Sequence, residues 1–165
     1  MEPERLWAVR SADVVTLGHL MLAIPSWPVL EILSGCPIVE CGAGDGTWLQ
    51  MINSSGGNAI GYDPYPRGPN VMLGDHRNLH KHMDRVLLIV WPPDCENVGE
   101  WVRAWGGQMV ALCGDIARFE PPELQVNFRC DLYGRKGTSR FLFGEVPADQ
   151  EPRLVADPWP EQELR

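Results

Sequence analysis

The sequence predicts an α/β fold: a doubly wound, mostly parallel sheet that ends in a C-terminal antiparallel hairpin. Short apolar runs alternate with helix-like stretches from residue 37 to residue 113. One of these runs, Val86 to Val90, is apolar without alternation, which is typical of a parallel strand buried on both faces. After residue 114 the rhythm changes to two strand-like runs around a connection rich in turn residues. Right-handed crossovers would then place helices on both faces of the sheet.

The individual elements follow from local patterns along the chain. Apolar runs bounded by turn residues predict strands at 37–41, 58–62, 71–73, 85–91, 108–113, 124–133 and 140–146. Helical spacing predicts helices at about 46–53 and 97–105, and one or two helical turns at 77–83. Before the first strand, an amphipathic helix is predicted at about 4–23 and a short second helix at 27–33, separated by Pro25. The stretch 134–139 is predicted as the hairpin connection.

Composition excludes several classes of function. The chain has 165 residues, of which 44% are hydrophobic, and this length suits one domain with a real core. Its formal net charge of −8 does not attract bare phosphate backbones over long distances. The five cysteines form no C-x-x-C pair, which predicts reduced, buried thiols in a cytoplasmic protein. No signal peptide is recognised and no apolar run is long enough to span a bilayer, so we expect no membrane contact.

The first chemical landmark is a glycine loop between the first predicted strand and its helix. Glycines occupy positions 42, 44 and 46, and Glu40 lies two residues before the first of them. Glycine adopts backbone angles that are forbidden to other residues, and it leaves room for a ligand. The next apolar run ends in a second acid, Asp63, placed to hold a pair of ribose hydroxyls. The pattern predicts a nucleotide site; a ligand-free glycine turn and an NAD site are the alternatives.

This pattern resembles motif I of the class I S-adenosylmethionine (SAM)-dependent methyltransferases, E/D-x-G-x-G-x-G. The resemblance extends from about Pro37 to about Gly114. A dinucleotide fingerprint would carry its third glycine at position 47, where this chain has a threonine. The resemblance implies a Rossmann-like SAM-binding domain at 37–146. The N-terminal helical segment at 1–36 would pack on it, and a tail rich in proline and acids would follow at 147–165.

The resemblance also implies roles for individual residues. Glu40 would face the amino group of SAM, and Asp63 would bind the ribose hydroxyls. Asp75 would contact the adenine amine, with His76 beside it at the adenine edge. Tyr65 would lie against the adenine ring or pack in an exposed loop. The glycines at 42, 44 and 46 would pass close to the methionine part, and S-adenosyl-L-homocysteine would be the product.

The second landmark is Trp91-Pro92-Pro93-Asp94, after the strongest predicted strand. Family members that methylate amino groups carry D/N-P-P-aromatic here, and the polar first residue accepts hydrogen bonds from the target amine. Trp91 takes that position in this chain, and an indole N–H can donate but cannot accept. Either Trp91 stacks on a flat substrate while Asp94 takes the proton, or the site methylates a group other than an exocyclic amine, or the prolines stiffen a loop. Trp91 and Asp94 are the candidate catalytic residues, and Trp91, Pro92 and Pro93 the candidate substrate contacts.

Three further features have two interpretations each. Trp48 would wall the methionine pocket or pack its helix on the sheet. The histidines at 76, 80 and 82 are close in sequence, but no further ligands complete a metal site, so we expect no metal. A basic cluster lies on or near the hairpin and is either a solvated turn or a contact for a phosphate-bearing substrate such as RNA; it comprises Arg129, Arg135, Lys136 and Arg140.

The sequence therefore predicts a SAM-dependent methyltransferase that transfers a methyl group to a nitrogen or oxygen nucleophile. The acceptor is left open among small molecules, proteins and RNA. A non-catalytic binding or regulatory subunit with the same fold is the first alternative, because the proline motif is altered. A small NAD-dependent oxidoreductase is the second, and the threonine at position 47 disfavours it.

Overall fold

The structure is a computed structural model of the chain, and it describes residues 22–92, 98–119 and 124–148. Three parts of the sequence predictions therefore lie outside the described residues. They are most of the N-terminal helix predicted at 4–23, the second half of the proline motif (Pro93 and Asp94), and the tail from residue 149 onward.

A seven-stranded sheet with the order β3-β2-β1-β4-β5-β7-β6 forms the centre of the molecule. Its strands are β1 (Pro37–Cys41), β2 (Asn58–Asp63), β3 (Val71–Leu73), β4 (Val86–Val90), β5 (Met109–Gly114), β6 (Gln125–Gly134) and β7 (Gly137–Glu145). The first five strands are parallel to one another, whereas β7 runs antiparallel to both β5 and β6. The predicted fold class is confirmed. The strand order reverses between β1 and β4, where such sheets bind ligands.

Helices cover both faces of the sheet. They are α1 (Trp27–Ser34), α2 (Thr47–Ser54), a 3₁₀ helix (His76–His82), α3 (Val98–Trp105) and the short α4 (Ile116–Phe119). Strand β4 shows the two layers, since Leu88 packs in the apolar cluster under α1 and α2 while Leu87 and Ile89 pack in the cluster under α3. All three side chains are fully buried, as the unbroken apolar run predicts.

The hairpin connection is shorter than the sequence predicts. The six-residue connection expected at 134–139 is wrong: Gly134 pairs with Gly137, and only Arg135 and Lys136 form the turn. Gly137 adopts a φ of 78°, a left-handed conformation that glycine takes without strain directly after the tight turn. The strands therefore continue through residues whose composition resembles a loop.

The hairpin reaches beyond the rest of the sheet. Arg140 pairs with Gly114, the last residue of β5, so β7 begins three residues earlier and overhangs the edge where the parallel strands end. At the spacing of an extended chain this overhang is about 10 Å. Near the tip, Ile24 bridges Tyr133 in antiparallel fashion, and the Ile24 N–H donates to the Tyr133 carbonyl over 2.8 Å. The turn is therefore placed over the carboxyl edge of the sheet.

Candidate functional site

A cavity of about 450 Å³ opens at the carboxyl edge, where β1, β2 and β4 end. This volume falls within the range of roughly 300–1,000 Å³ that small-molecule sites occupy. Five residues predicted for the site line the cavity together: Glu40, Gly42, Gly44, Asp63 and Trp91. The other lining residues are Leu22, Ala43, Asp45, Thr47, Trp48, Arg67, Val90 and Arg135. The edge at which the sheet topology predicts ligand binding therefore has a cavity large enough for a small molecule.

The glycine loop forms one wall of this cavity. Gly42, Gly44 and Gly46 have φ values of 78°, 57° and 74°, all in the left-handed region. A Cβ on Gly42 would meet no atom within 4 Å, so this position faces open space. A Cβ on Gly46 would approach the Val71 side chain to 2.9 Å, and Gly46 does not line the cavity. Gly42 leaves space for a ligand, whereas Gly46 allows α2 to begin close to β3.

Glu40 lines this cavity, and one oxygen of its buried carboxyl group has no hydrogen-bonding partner among the described residues. Its side chain is 3% exposed, and its Oε2 atom is buried with no hydrogen-bond partner among the described residues. Burial, with smaller contributions from the carboxylates of Asp45 and Asp63, raises the pKa of Glu40 to about 8. A buried oxygen left unpaired costs free energy unless something binds it. The cavity therefore presents a group that a cation or a hydrogen-bond donor would stabilise.

Asp63 joins the end of β2 to the glycine loop. Its Oδ2 atom accepts the Gly44 N–H over 2.9 Å, and its Oδ1 atom accepts the Tyr65 N–H over 2.7 Å. Each carboxylate oxygen can accept more than one hydrogen bond, so acceptor capacity remains on the side that faces the cavity. Asp63 therefore stabilises the conformation of the loop and can still accept hydrogen bonds from hydroxyl groups.

Trp91 forms the wall beyond β4, and its backbone is strained. Its φ of 44° is left-handed, which is uncommon for a bulky residue and often marks a functional site. The indole N–H donates to the Oγ of Ser139 over 2.8 Å, and Ser139 is almost fully buried. The Lys136 ammonium lies 5.8 Å from the centre of the indole ring. With its one donor used by Ser139, Trp91 can present a flat surface but no free polar group. Pro92 beside it is buried and does not line the cavity.

Besides Gly46, three more predicted cofactor residues lie outside the cavity lining. Tyr65 is 81% exposed. The side chain of Asp75 caps the 3₁₀ helix and pairs with Arg77 over 2.5 Å. Burial alone would raise the pKa of Asp75, but hydrogen bonds and the charge of Arg77 hold it below its usual value. The His76 ring stacks on Trp101 with 6.0 Å between centres. These side chains are therefore available only to a ligand that reaches past the cavity.

Trp48 combines the two interpretations of its role. It is 5% exposed, packs in the core under α2, and also lines the cavity. Its indole N–H donates to the Ala23 carbonyl over 3.0 Å. Sequence reasoning missed Arg67, whose guanidinium lies 3.5 Å from the position of a Cβ on Gly44. The available signal was a single basic residue four positions after Asp63 in a proline- and glycine-rich loop.

The other two histidines in the described part of the chain, His80 and His82, have separate structural partners. His80 Nδ1 lies 2.8 Å from the Arg77 carbonyl, and His82 Nε2 lies 2.8 Å from the Tyr62 hydroxyl. Within residues 22–92, 98–119 and 124–148, no group of three or more potential ligands is placed to hold a metal ion. The described cysteines are free thiols, and Cys41 is buried with its pKa raised by burial. In the same part of the chain, no helix is long and apolar enough to cross a membrane.

Comparisons with known proteins identify the fold. No protein-family model matches the sequence, and no curated protein matches it. Magnesium protoporphyrin IX methyltransferase from Synechocystis PCC 6803, solved with bound SAM, has a similar structure. The TM-score is 0.56 at 11% identity, over 72% of this chain and 76% of that one. The fold of this chain is therefore that of the class I SAM-dependent methyltransferases, a Rossmann-like α/β fold.

Two further solved methyltransferases are similar. One is 1,6-didemethyltoxoflavin-N1-methyltransferase from Burkholderia thailandensis, solved with 1,6-didemethyltoxoflavin and S-adenosylhomocysteine. It has a TM-score of 0.55 at 11% identity, over 88% of this chain and 90% of that one. The other is a putative tRNA (m1A22) methyltransferase from Streptococcus pneumoniae, with a TM-score of 0.53 at 11% identity, over 81% and 74%. At these identities the likeness concerns the fold.

Proposed function

We propose that this protein is a SAM-dependent methyltransferase that transfers a methyl group to a nitrogen or oxygen nucleophile. The observation that carries the proposal is the unpartnered Oε2 of Glu40, buried at the base of a cavity beside the open glycine loop. Such an oxygen needs a donor, and the α-ammonium group of SAM is one. Asp63 at the end of the next strand supplies the second polar contact.

The residues around the cavity suit the separate parts of this cofactor. Glu40 would pair with the α-ammonium, and ionisation of Glu40 on binding would release the proton that the free protein retains. Gly42 leaves open space for the methionine part. The free acceptor capacity of Asp63 would take the ribose hydroxyls, as its hydrogen bonds to the loop leave lone pairs unused.

The adenine end of the site is proposed on position alone. Tyr65 follows Asp63 by two residues in the same loop, and its exposed ring is free to cover a purine. Asp75 and His76 follow β3, the strand next to β2, so they lie further along the same edge. We propose that Tyr65, Asp75 and His76 contact the adenine. S-adenosyl-L-homocysteine would be the product that leaves.

The catalytic demands on the protein are modest. SAM supplies an electrophilic methyl group, so the protein must align the acceptor and exclude water. Trp91, with its indole fixed by Ser139, would hold a flat acceptor at the wall of the cavity. We propose Asp94 as the proton acceptor. Pro92 and Pro93 would stiffen the loop that carries it. The names of the Burkholderia and pneumococcal proteins indicate nitrogen acceptors, which supports nitrogen among the options here.

The domain boundaries and the location belong to the same proposal. The sheet runs from Pro37 to Glu145, consistent with a SAM-binding domain at 37–146 between the segments 1–36 and 147–165. The described cysteines are unpaired, consistent with the reducing cytoplasm. The acceptor is proposed as a small molecule, a protein or an RNA.

Calorimetry tests the cofactor assignment. SAM and S-adenosylhomocysteine should bind the protein, whereas NAD should not. Asp63→Asn should weaken SAM binding by about tenfold or more, because it replaces a charge-assisted acceptor. Asp131→Asn, which alters an exposed acid on the hairpin, should leave binding unchanged. Thermal melts separate a lost contact from lost folding. Equal SAM affinity in the Asp63 variant and the parent would remove the assignment.

Methyl transfer separates an enzyme from a binding subunit. Tritiated SAM incubated with the protein and a lysate extract should label a product. Asp94→Asn should retain SAM affinity while labelling falls. SAM binding without any labelled product would favour the non-catalytic alternative. Full labelling by the Asp94 variant would remove that residue as the proton acceptor.

A further inference from the structure

The turn of the β6–β7 hairpin carries two cations over the candidate site. We infer that Arg135 and Lys136 bind a carboxylate or phosphate group on a small-molecule methyl acceptor. The role of the bound molecule as a methyl acceptor rests on the proposed function. The binding of an anion at this turn can be tested without SAM. It would make the acceptor an anionic small molecule, which nothing in the fold alone specifies.

Charge is distributed unevenly along the cavity. The order of strands along the edge is β2, β1, β4, β5 and then the hairpin. Asp63 ends β2, Glu40 is the second-last residue of β1, and these two acids with Asp45 outnumber Arg67 on this side of the cavity. Arg135 comes from the turn at the other end and lines the same cavity. Trp91 lies between them, after β4. A cationic ligand group fits the acidic end, and an anionic one fits the hairpin end.

The hairpin tip is held in place over the cavity. The Lys136 N–H donates to the Leu22 carbonyl over 3.4 Å. At Gly134, a Cβ would lie 2.5 Å from the Leu22 oxygen and 2.6 Å from the Ala23 Cα, so backbone packs directly on backbone. Ala23 in turn accepts the indole N–H of Trp48, a cavity residue. The backbone of the turn is already in place, so binding an anion needs only the two side chains to be ordered.

Among the described residues these two cations have no acidic partner, unlike another cation on the same hairpin. Arg140 pairs with Asp131 across the strands over 3.2 Å. For Arg135 and Lys136, the described part of the chain provides no carboxylate within ion-pair distance. The ammonium of Lys136 instead lies near the face of Trp91, at 5.8 Å, close to the limit of a cation–π contact. Both are exposed and available to an incoming anion.

The rest of the molecule favours a small anion over a nucleic acid. With a net charge of −8 the protein repels polyanions, and only a local cationic site can offset this. The cavity, at about 450 Å³, would be shared between cofactor and acceptor. A single carboxylate or phosphate needs only the two turn residues, whereas an RNA strand would need cations along its whole path.

NMR of the tryptophan indoles provides a direct test. The full-length protein, labelled with ¹⁵N, is titrated with benzoate and with inorganic phosphate, and Trp91→Phe assigns the Trp91 signal. Either probe should shift that signal, and the tighter probe identifies the preferred oxyanion. Arg135→Gln/Lys136→Gln should weaken this binding by roughly tenfold or more, since charge-assisted contacts are lost. The control Arg103→Gln/Arg118→Gln removes the same charge from two exposed helix positions and should bind as the parent does.

The other outcomes overturn either the inference or the proposed function on which it rests. If neither probe shifts the Trp91 signal, or if both double variants lose binding equally, no specific anion site exists. If Arg135→Gln/Lys136→Gln weakens SAM to the same extent as benzoate, the cations serve the cofactor. If a single-stranded RNA binds more tightly than either probe and depends on these residues, the acceptor is RNA. Failure of SAM to bind the parent would refute the proposed function and leave the anion result standing.

Discussion

The residue that most clearly departs from a purely structural role is Glu40. A carboxyl group buried to this extent is normally paired, and an unpaired one destabilises the fold. The flanking β1 residues Val39 and Cys41 are buried and apolar, and an apolar residue at position 40 would suit the strand as well. Packing alone therefore does not explain the acid, whereas a ligand that pairs with it would.

Glu40 should make stability depend on pH. In the folded protein the pKa of Glu40 is about 8, against an ordinary value of 4.5. The unfolded chain loses this proton at lower pH than the folded protein. The free energy of unfolding should therefore fall as pH rises from about 5 to about 8, by at most about 1.4 kcal/mol per pH unit. Urea denaturation across this range should show this slope in the parent and a smaller slope in Glu40→Gln.

The control for that experiment is Glu31→Gln, which changes an exposed acid on α1. Its slope should match that of the parent. Because histidines also titrate in this range, the comparison uses the difference between variants. An unchanged slope in Glu40→Gln would show that Glu40 ionises normally.

At the scale of elements, the site is built from two connections with opposite properties. The glycine loop is open, with Gly42 facing empty space. At the hairpin there is no such space, because the backbone of Gly134 packs directly on that of Leu22. Both depend on glycine, but for different reasons: one keeps space for a ligand, and the other removes space between two chain segments.

The glycine loop yields a matched pair of variants. Gly42 and Gly56 have φ values of 78° and 88°, and a Cβ on either would meet no atom within 4 Å. Alanine at each should therefore cost a similar 1–2 kcal/mol or so of backbone strain. Only Gly42→Ala puts a methyl group beside the cavity, so only it should weaken SAM binding, by calorimetry. Equal SAM affinity in the two variants would argue against a ligand at Gly42.

At the scale of the whole molecule, ligand binding should appear as thermal stabilisation. A ligand at a hundred times its Kd stabilises the folded state by about 2.7 kcal/mol. For a chain of 165 residues this corresponds to a rise in Tm of roughly 5–10 °C. Differential scanning fluorimetry should show this rise with SAM and with S-adenosylhomocysteine, and none with NAD. A rise with NAD alone would favour the oxidoreductase alternative.

Much of this architecture was predictable because the signals were local. The unbroken apolar run at Val86–Val90 fixed the central strand, and the glycine spacing placed the first connection. Three features were not predictable. The two-residue hairpin turn depends on the left-handed Gly137. The hydrogen bond from the Trp91 indole to Ser139 depends on pairing between strands that are distant in the sequence. Arg67 reaches the cavity through the path of its loop, which no sequence period encodes.

The overhanging turn has a practical consequence for redesign. It consists of two solvent-facing side chains on a rigid ribbon, and neither contributes to the buried core. Under the proposed function, exchanging just that dipeptide, with the ribbon left untouched, should shift the preferred methyl acceptor toward neutral or cationic compounds. Directed evolution of new specificities in this scaffold can therefore begin with a library at two adjacent codons.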